Sequence, residues 1–139
     1  MKISGNSFCP CGSLKKYKKC CRIFHFGETP SSALELMKSR YSAYVANNQD
    51  YIIKTTHREN DEYTSDIQSW KESINNFSKY SDFRKLEILD FIHGEEVSYV
   101  TFKATIFQGA IDCSFLEKSK FIKEDGKWLY HSGEFIQKN

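Results

Sequence analysis

Four of the chain's five cysteines fall within thirteen residues, from Cys9-Pro10-Cys11 to Cys20-Cys21. Four thiols at such short range admit few stable arrangements. Cys20 and Cys21 are sequence neighbours, which disfavours a relaxed disulfide between them. A tetrahedral Zn²⁺ site needs four soft ligands on a short, bendable stretch, and two cysteine pairs supply them. Lys15, Lys16, Lys18, Lys19 and Arg22 surround the pairs, favouring thiolate over thiol and offsetting the charge of a zinc tetrathiolate. A disulfide framework would suit a secreted chain, yet the first 25 residues contain no long apolar run. No stretch approaches the ~20 apolar residues of a membrane span. The expectation is a soluble, cytoplasmic chain with reduced thiols. Cys9, Cys11, Cys20 and Cys21 are the expected ligands of structural Zn²⁺, because a catalytic zinc would keep one position open.

Charge divides the chain. Residues 1–27 carry six basic side chains and no acid, whereas the remainder is net −4. Zn²⁺ with four thiolates contributes −2, so the amino-terminal module keeps a formal +4. Such a surplus suits an acidic protein surface or a phosphate backbone. At 139 residues and 40% hydrophobic content, one core plus a small appendage is the size limit.

The periods that follow place the elements. The boundary falls near Gly27-Glu28-Thr29-Pro30, giving expected domains at 1–27 and 28–139. Pro30 suits a first helical turn, and Ser32-x-x-Glu35 reads as a capping box. Leu34, Met37, Tyr41, Tyr44 and Val45 form one helical stripe through about residue 46. A short helix carries Tyr51, Ile52 and Ile53, and another restarts at Ser65-x-x-Gln68 with Ile67, Trp70, Ile74 and Phe77 on one face. Strands are expected at 86–89, 97–107, 111–122 and 128–132, with turns at Gln108-Gly109 and Asp125-Gly126. Three helices followed by four strands predict an α+β layer, helices packed on an antiparallel sheet.

One strand position is anomalous. Glu117 shares parity with Ile111, Cys113, Phe115, Ser119 and Phe121, so it either faces a pocket with partners or a β-bulge turns it to water. The expected pocket lining is Tyr41, Tyr44, Trp70, Phe102 and Trp128, with His57 as polar partner of Glu117. Cys113 reads as a small core residue. His25 reads as a loop histidine rather than a ligand, and His93 and His131 as strand-end or surface residues.

The segment from Cys9-Pro10-Cys11-Gly12-Ser13 to Lys18-Lys19-Cys20-Cys21 resembles the SEC-C motif, the zinc-binding tail of the SecA translocation ATPase. Leu14 stands where that motif usually has glycine, and Arg22 where glycine is common. The remainder is similar to the YchJ-like family through Met37-Lys38-Ser39-Arg40-Tyr41-Ser42-Ala43-Tyr44, Thr56-His57, Glu117-Lys118-Ser119-Lys120-Phe121 and Gly126-Lys127-Trp128-Leu129-Tyr130. The resemblance implies a nuclear transport factor 2-like cone around a cavity, with the four cysteines as zinc ligands. It carries no established reaction.

The expected function is therefore that of a binding or adaptor protein rather than an enzyme. The knuckle would dock on an acidic partner, by analogy the SecB chaperone or the ribosome, and the cone would hold a small ligand or a second protein. The competing expectation is a small enzyme with Glu117 as general base and His57 as its partner. Nucleic-acid binding by the knuckle ranks third, because the body of the chain is acidic.

Overall fold

The computed structural model describes residues 3–136. Its first 25 residues make a knuckle. Phe8 and Lys16 pair as an antiparallel bridge, and the Cys9 N–H donates to the Lys15 carbonyl at 2.8 Å. A 3₁₀ turn at Tyr17–Lys19 leads into helix α1, Cys21–His25.

Helix α2 is Ala33–Val45. Ser32 caps it, its hydroxyl accepting from the Glu35 N–H at 3.1 Å. The reciprocal arm of the capping box is displaced by one residue, since Glu35 accepts from the N–H and hydroxyl of Ser31, both at 2.8 Å. Pro30 thus lies ahead of the helix, not in its first turn. The expected stripe is present through Met37, Tyr41 and Tyr44, but the helix buries a second face as well. Leu36, Ser39, Ser42 and Ala43 are fully covered, and helical spacing puts them opposite the stripe. The small residues there let the knuckle pack close: Cys9 Sγ lies 3.4 Å from Ser42 Oγ, and His25 Nε2 lies 2.8 Å from the Ser39 carbonyl. His25 is therefore a pin between knuckle and helix rather than a loop residue. Because Nε2 must donate to that carbonyl, Nδ1 accepts from the Tyr17 hydroxyl at 2.6 Å.

Helix α3, Gln49–Lys54, is capped by Asn48, and α4, Ile67–Tyr80, by Asp66 instead of the expected Ser65. Trp70 and Ile74 are buried, whereas Ile67, counted on the same face, is exposed in the first turn.

The sheet has strands β1 Asp82–Ile92, β2 Val97–Gln108, β3 Ile111–Asp112, β4 Phe115–Glu124 and β5 Lys127–Phe135, in the order β1-β2-β4-β5. All neighbours are antiparallel, and β3 is a short extension paired to β2. The alternation in β2 is clean: Val100, Phe102, Ala104 and Ile106 are buried. The strand expected at 111–122 instead divides at Cys113-Ser114, where Ser114 turns its hydroxyl to accept from the Ile106 N–H at 3.1 Å. Cys113 consequently sits half-buried in the break, not in the core. Strand β1 runs well beyond 86–89 and carries two register shifts, and β5 carries one at His131. Such shifts bend strands, and the curved sheet wraps its concave face around the helices.

Candidate functional sites: a cysteine cluster and a cone cavity

The Sγ atoms of Cys9, Cys11, Cys20 and Cys21 all lie within 4.8 Å of one another, and none of these cysteines is disulfide-bonded. A tetrahedral zinc with Zn–S bonds of ~2.3 Å separates its sulfurs by about 3.8 Å, so the quartet fits a four-coordinate ion with slight contraction. Its thiol chemistry asks for one. Hydrogen bonds from the Cys11 and Cys21 thiols drive the Cys9 pKa far down, while the hydrogen bonds that Cys21 makes to Cys11 and Cys9, and burial, drive its own pKa far up. For Cys11 the hydrogen bond from Cys21 lowers the pKa, but the Cys9 thiolate and burial outweigh it and push it up to about 11. One thiolate is thus comfortable without a cation and four are not; a bound divalent ion removes the conflict. Ser13 Oγ, 3.1 Å from Cys20 Sγ, supports that ligand from outside.

The loop between the pairs holds a local misfit. Gly12 has φ +83°, which glycine tolerates, but Leu14 follows at φ +67°. Its side chain is exposed and offers little packing in return. Leu14→Gly is expected to stabilise the knuckle by about 1 kcal/mol. Competition against a graded chelator series should show about fivefold firmer metal retention.

The second site lies inside the cone. Helices α2 and α4 close the concave face of the sheet over a cavity of about 400 Å³, with Met37, Tyr41, Ile74, Phe77 and Phe121 among its apolar walls. Glu62, Ser73 and Phe135 line it while remaining exposed, and so mark the mouth. Glu117 faces this cavity: no bulge interrupts the β2–β4 pairing, so its parity with Ser119 and Phe121 holds. One carboxylate oxygen, Oε2, accepts from both Ser119 and Tyr130, the phenol at 2.9 Å. Oε1 accepts nothing among the described residues. Burial first, and then the Glu117 charge, hold the Tyr130 phenol well above its ordinary pKa. The backbone makes room for this cluster at Gly133, where a Cβ would collide with the Glu117 carboxylate and the Tyr130 hydroxyl.

Of the lining residues expected from the sequence, Tyr41, Tyr44, Trp70 and Phe102 do border the cavity. Trp128 does not. It packs at the far end of the sheet against His93 and Lys123. Nor does His57 meet Glu117: its Nε2 pairs with Glu124 at 2.7 Å and its Nδ1 accepts from the Glu59 N–H at 3.0 Å. The loop after α3 carries it along the outside of β5, where its N–H donates to the Tyr130 carbonyl.

Two participants escaped the sequence reading. Neither Tyr130 nor Arg40 was given a role there. The spacing of Arg40, three from Met37 and four from Tyr44, puts it on the cavity face. Arg40 is over nine-tenths buried, and its guanidinium stacks on the Tyr130 ring at 4.7 Å and is paired with no carboxylate among the described residues. Nη1 donates to the Ile52 carbonyl and to the hydroxyls of Thr55 and Thr56 at 2.7–3.1 Å. Burial raises the Tyr44 phenol pKa, and Arg40 beside it opposes that rise.

A third cluster, His57, Glu59 and His131, brings its ligand atoms within 4.8 Å of one another. Both nitrogens of His57 are already engaged, and His131 Nε2 pairs with Glu59 at 2.9 Å. Arg58 adds a cation on Glu124. The cluster reads as pins tying the loop after α3 to β5.

Both halves have counterparts among known proteins. The SEC-C motif matches residues 6–22, and the family described as YchJ, middle NTF2-like domain, matches residues 32–133. A UPF0225 protein of Vibrio parahaemolyticus is 36% identical over 132 residues, covering 93% of this chain and 75% of its own. The solution structure of a SEC-C motif containing protein from Rhodopseudomonas palustris superposes with TM-score 0.80 at 30% identity, covering 94% of this chain and all of that one. A SEC-C motif containing protein from Psychrobacter arcticus gives TM-score 0.77 at 23% identity, over 97% and 86% of the two chains. A knuckle of this motif ahead of an NTF2-like cone, with relatives matched along nearly its whole length, makes this chain a member of the YchJ-like family.

Proposed function

We propose that the protein is a zinc-organised adaptor whose basic knuckle docks on an acidic protein surface, of the SecB-chaperone or ribosomal kind, while the cone holds a small ligand. The observation that carries the docking half is the composition of the knuckle's exterior. Lys15, Lys16, Lys18 and Lys19 are exposed there together with the apolar side chains of Phe8, Leu14 and Phe26. Large apolar groups left in water beside a single sign of charge suit a protein interface with an anionic rim. The ligand is taken as Zn²⁺ because four thiolates in a closed tetrahedron are its preferred structural set.

The test is binding of the metal-loaded protein to a purified SecB-type chaperone and to ribosomes, followed by calorimetry or sedimentation. Docking should weaken at least tenfold between 50 and 300 mM salt and vanish in the Cys20→Ser/Cys21→Ser variant. It should also fall in Lys16→Glu/Lys19→Glu, which leaves the ligands intact. Undiminished binding by both variants would sink the docking half.

One observation favours a second reading, a small enzyme: the free Oε1 of Glu117 in an enclosed, largely apolar cavity is placed as a general base is placed. Its partner there is Tyr130, not His57. Turnover of a candidate substrate abolished by Glu117→Gln, with the fold intact, would establish it.

A further inference from the structure

We infer that the cone cavity takes a small amphoteric molecule, one with an apolar body, an anionic group for Arg40 and a hydrogen-bond donor, best an ammonium, for Glu117. This rests on the reading that the cone holds a small ligand, and it names the class. The grounds are the way the two charges are held. Each is a buried group fixed in part by the protein and answered by no opposite charge among the described residues. Glu117 presents Oε2 to Ser119 and Tyr130 and keeps Oε1 without a donor. Arg40 spends Nη1 on Ile52, Thr55 and Thr56, its charge lies beside the Tyr44 phenol, and no carboxylate among the described residues answers the guanidinium.

Both residues line the cavity, and no salt bridge joins them. Buried charges of opposite sign ordinarily collapse onto one another or onto counter-ions, since leaving them half-solvated by protein is costly. Here the Tyr130 side chain stands between them, its ring under the guanidinium and its hydroxyl on the carboxylate. A molecule bearing both charges completes both groups at once: a planar guanidinium edge receives a carboxylate or phosphate, and a carboxylate oxygen receives an N–H or O–H. A purely anionic ligand would leave Glu117 unanswered, and a purely cationic one would leave Arg40 so. The Trp70 side chain borders the cavity, and its indole N–H, buried and unpartnered among the described residues, reports on occupancy of the space beside it. The remaining walls are aliphatic and aromatic, which sets the apolar body.

Four probes separate the possibilities: L-phenylalanine, 3-phenylpropanoate, phenethylamine and 3-phenylpropanamide. They share a phenyl body and differ in charge. Titrated into the metal-loaded full chain by calorimetry, with the Trp70 indole N–H followed by NMR, L-phenylalanine should bind at least tenfold tighter than the other three. Arg40→Lys should weaken it at least tenfold. Because Arg40 also ties α2 to α3 and its variant can misfold, the nearly isosteric Glu117→Gln supplies an independent arm. That variant should lose about tenfold for L-phenylalanine and phenethylamine while binding 3-phenylpropanoate no worse. Equal binding of all four, or an unchanged ranking in Glu117→Gln, would overturn the amphoteric class and leave a ligand-holding cone standing. Absence of binding by every probe, with the Trp70 resonance unmoved, would overturn both.

Discussion

Stripping the metal under reducing conditions, or replacing Cys20 and Cys21 by Ser, is expected to lower the melting temperature by about 10 °C and to unfold the knuckle. Fewer than 30 residues with this little apolar content cannot hold themselves together without the ion. The loss does not stop there. Leu36, Ser39, Ser42 and Ala43 form a face of α2 that the knuckle helps cover. Opening that face re-exposes apolar area of at least one leucine, about 2 kcal/mol, and breaks the His25–Ser39 and Cys9–Ser42 bonds at about 1 kcal/mol together. At about 3 °C per kcal/mol for a chain of this size, the total accounts for the shift. Calorimetry of loaded and stripped protein checks it; coincident melting curves would show that the sulfur quartet bears no structural load.

Gly133→Ala should be nearly as damaging, from the other end of the molecule. Its backbone φ is not left-handed, so the cost is steric: the new Cβ enters the space filled by the Glu117 carboxylate and the Tyr130 hydroxyl. Neither can retreat easily, since Ser119 holds the first and Arg40 stacks on the second. Overpacking of this kind costs about 1–3 kcal/mol, and breaking the Tyr130–Glu117 bond adds about 1 kcal/mol. The variant should melt about 6–12 °C lower and lose probe binding. Combining it with Tyr130→Phe should recover part of the stability, because one of the two colliding oxygens is gone and the carboxylate gains room to shift; strict additivity of the two losses would contradict the collision.

The sequence was most legible where period and chemistry agreed. The alternation of Val100, Phe102, Ala104 and Ile106 announced β2, and the parity of Glu117 with Phe121 announced a carboxylate on the inner face or a bulge. It was least legible where residue type disguised environment. The second buried face of α2 is built partly from serines and an alanine, which carry no hydrophobic signal and are small because the knuckle sits on them. Arg40 hides for the converse reason: a charged residue at a stripe position ordinarily reaches water, and only the ends of α3 and the ring of Tyr130, brought near by the fold, keep it inside. His57 and Trp128 were misplaced by where the chain carries them, His57 on a loop at the edge of β5 and Trp128 opposite Lys123, two residues along that strand from Tyr130. The shift at His131 puts Gly133 and Phe135, in place of Ser132 and Glu134, on the face of Tyr130 and beside the carboxylate.

Helix α2 is a party wall: cysteine cluster on one side, cavity on the other, no linker between them. Any movement of the cysteine cluster against Ser42 therefore displaces a wall of the cavity, and any crowding of the cavity presses back on the cluster.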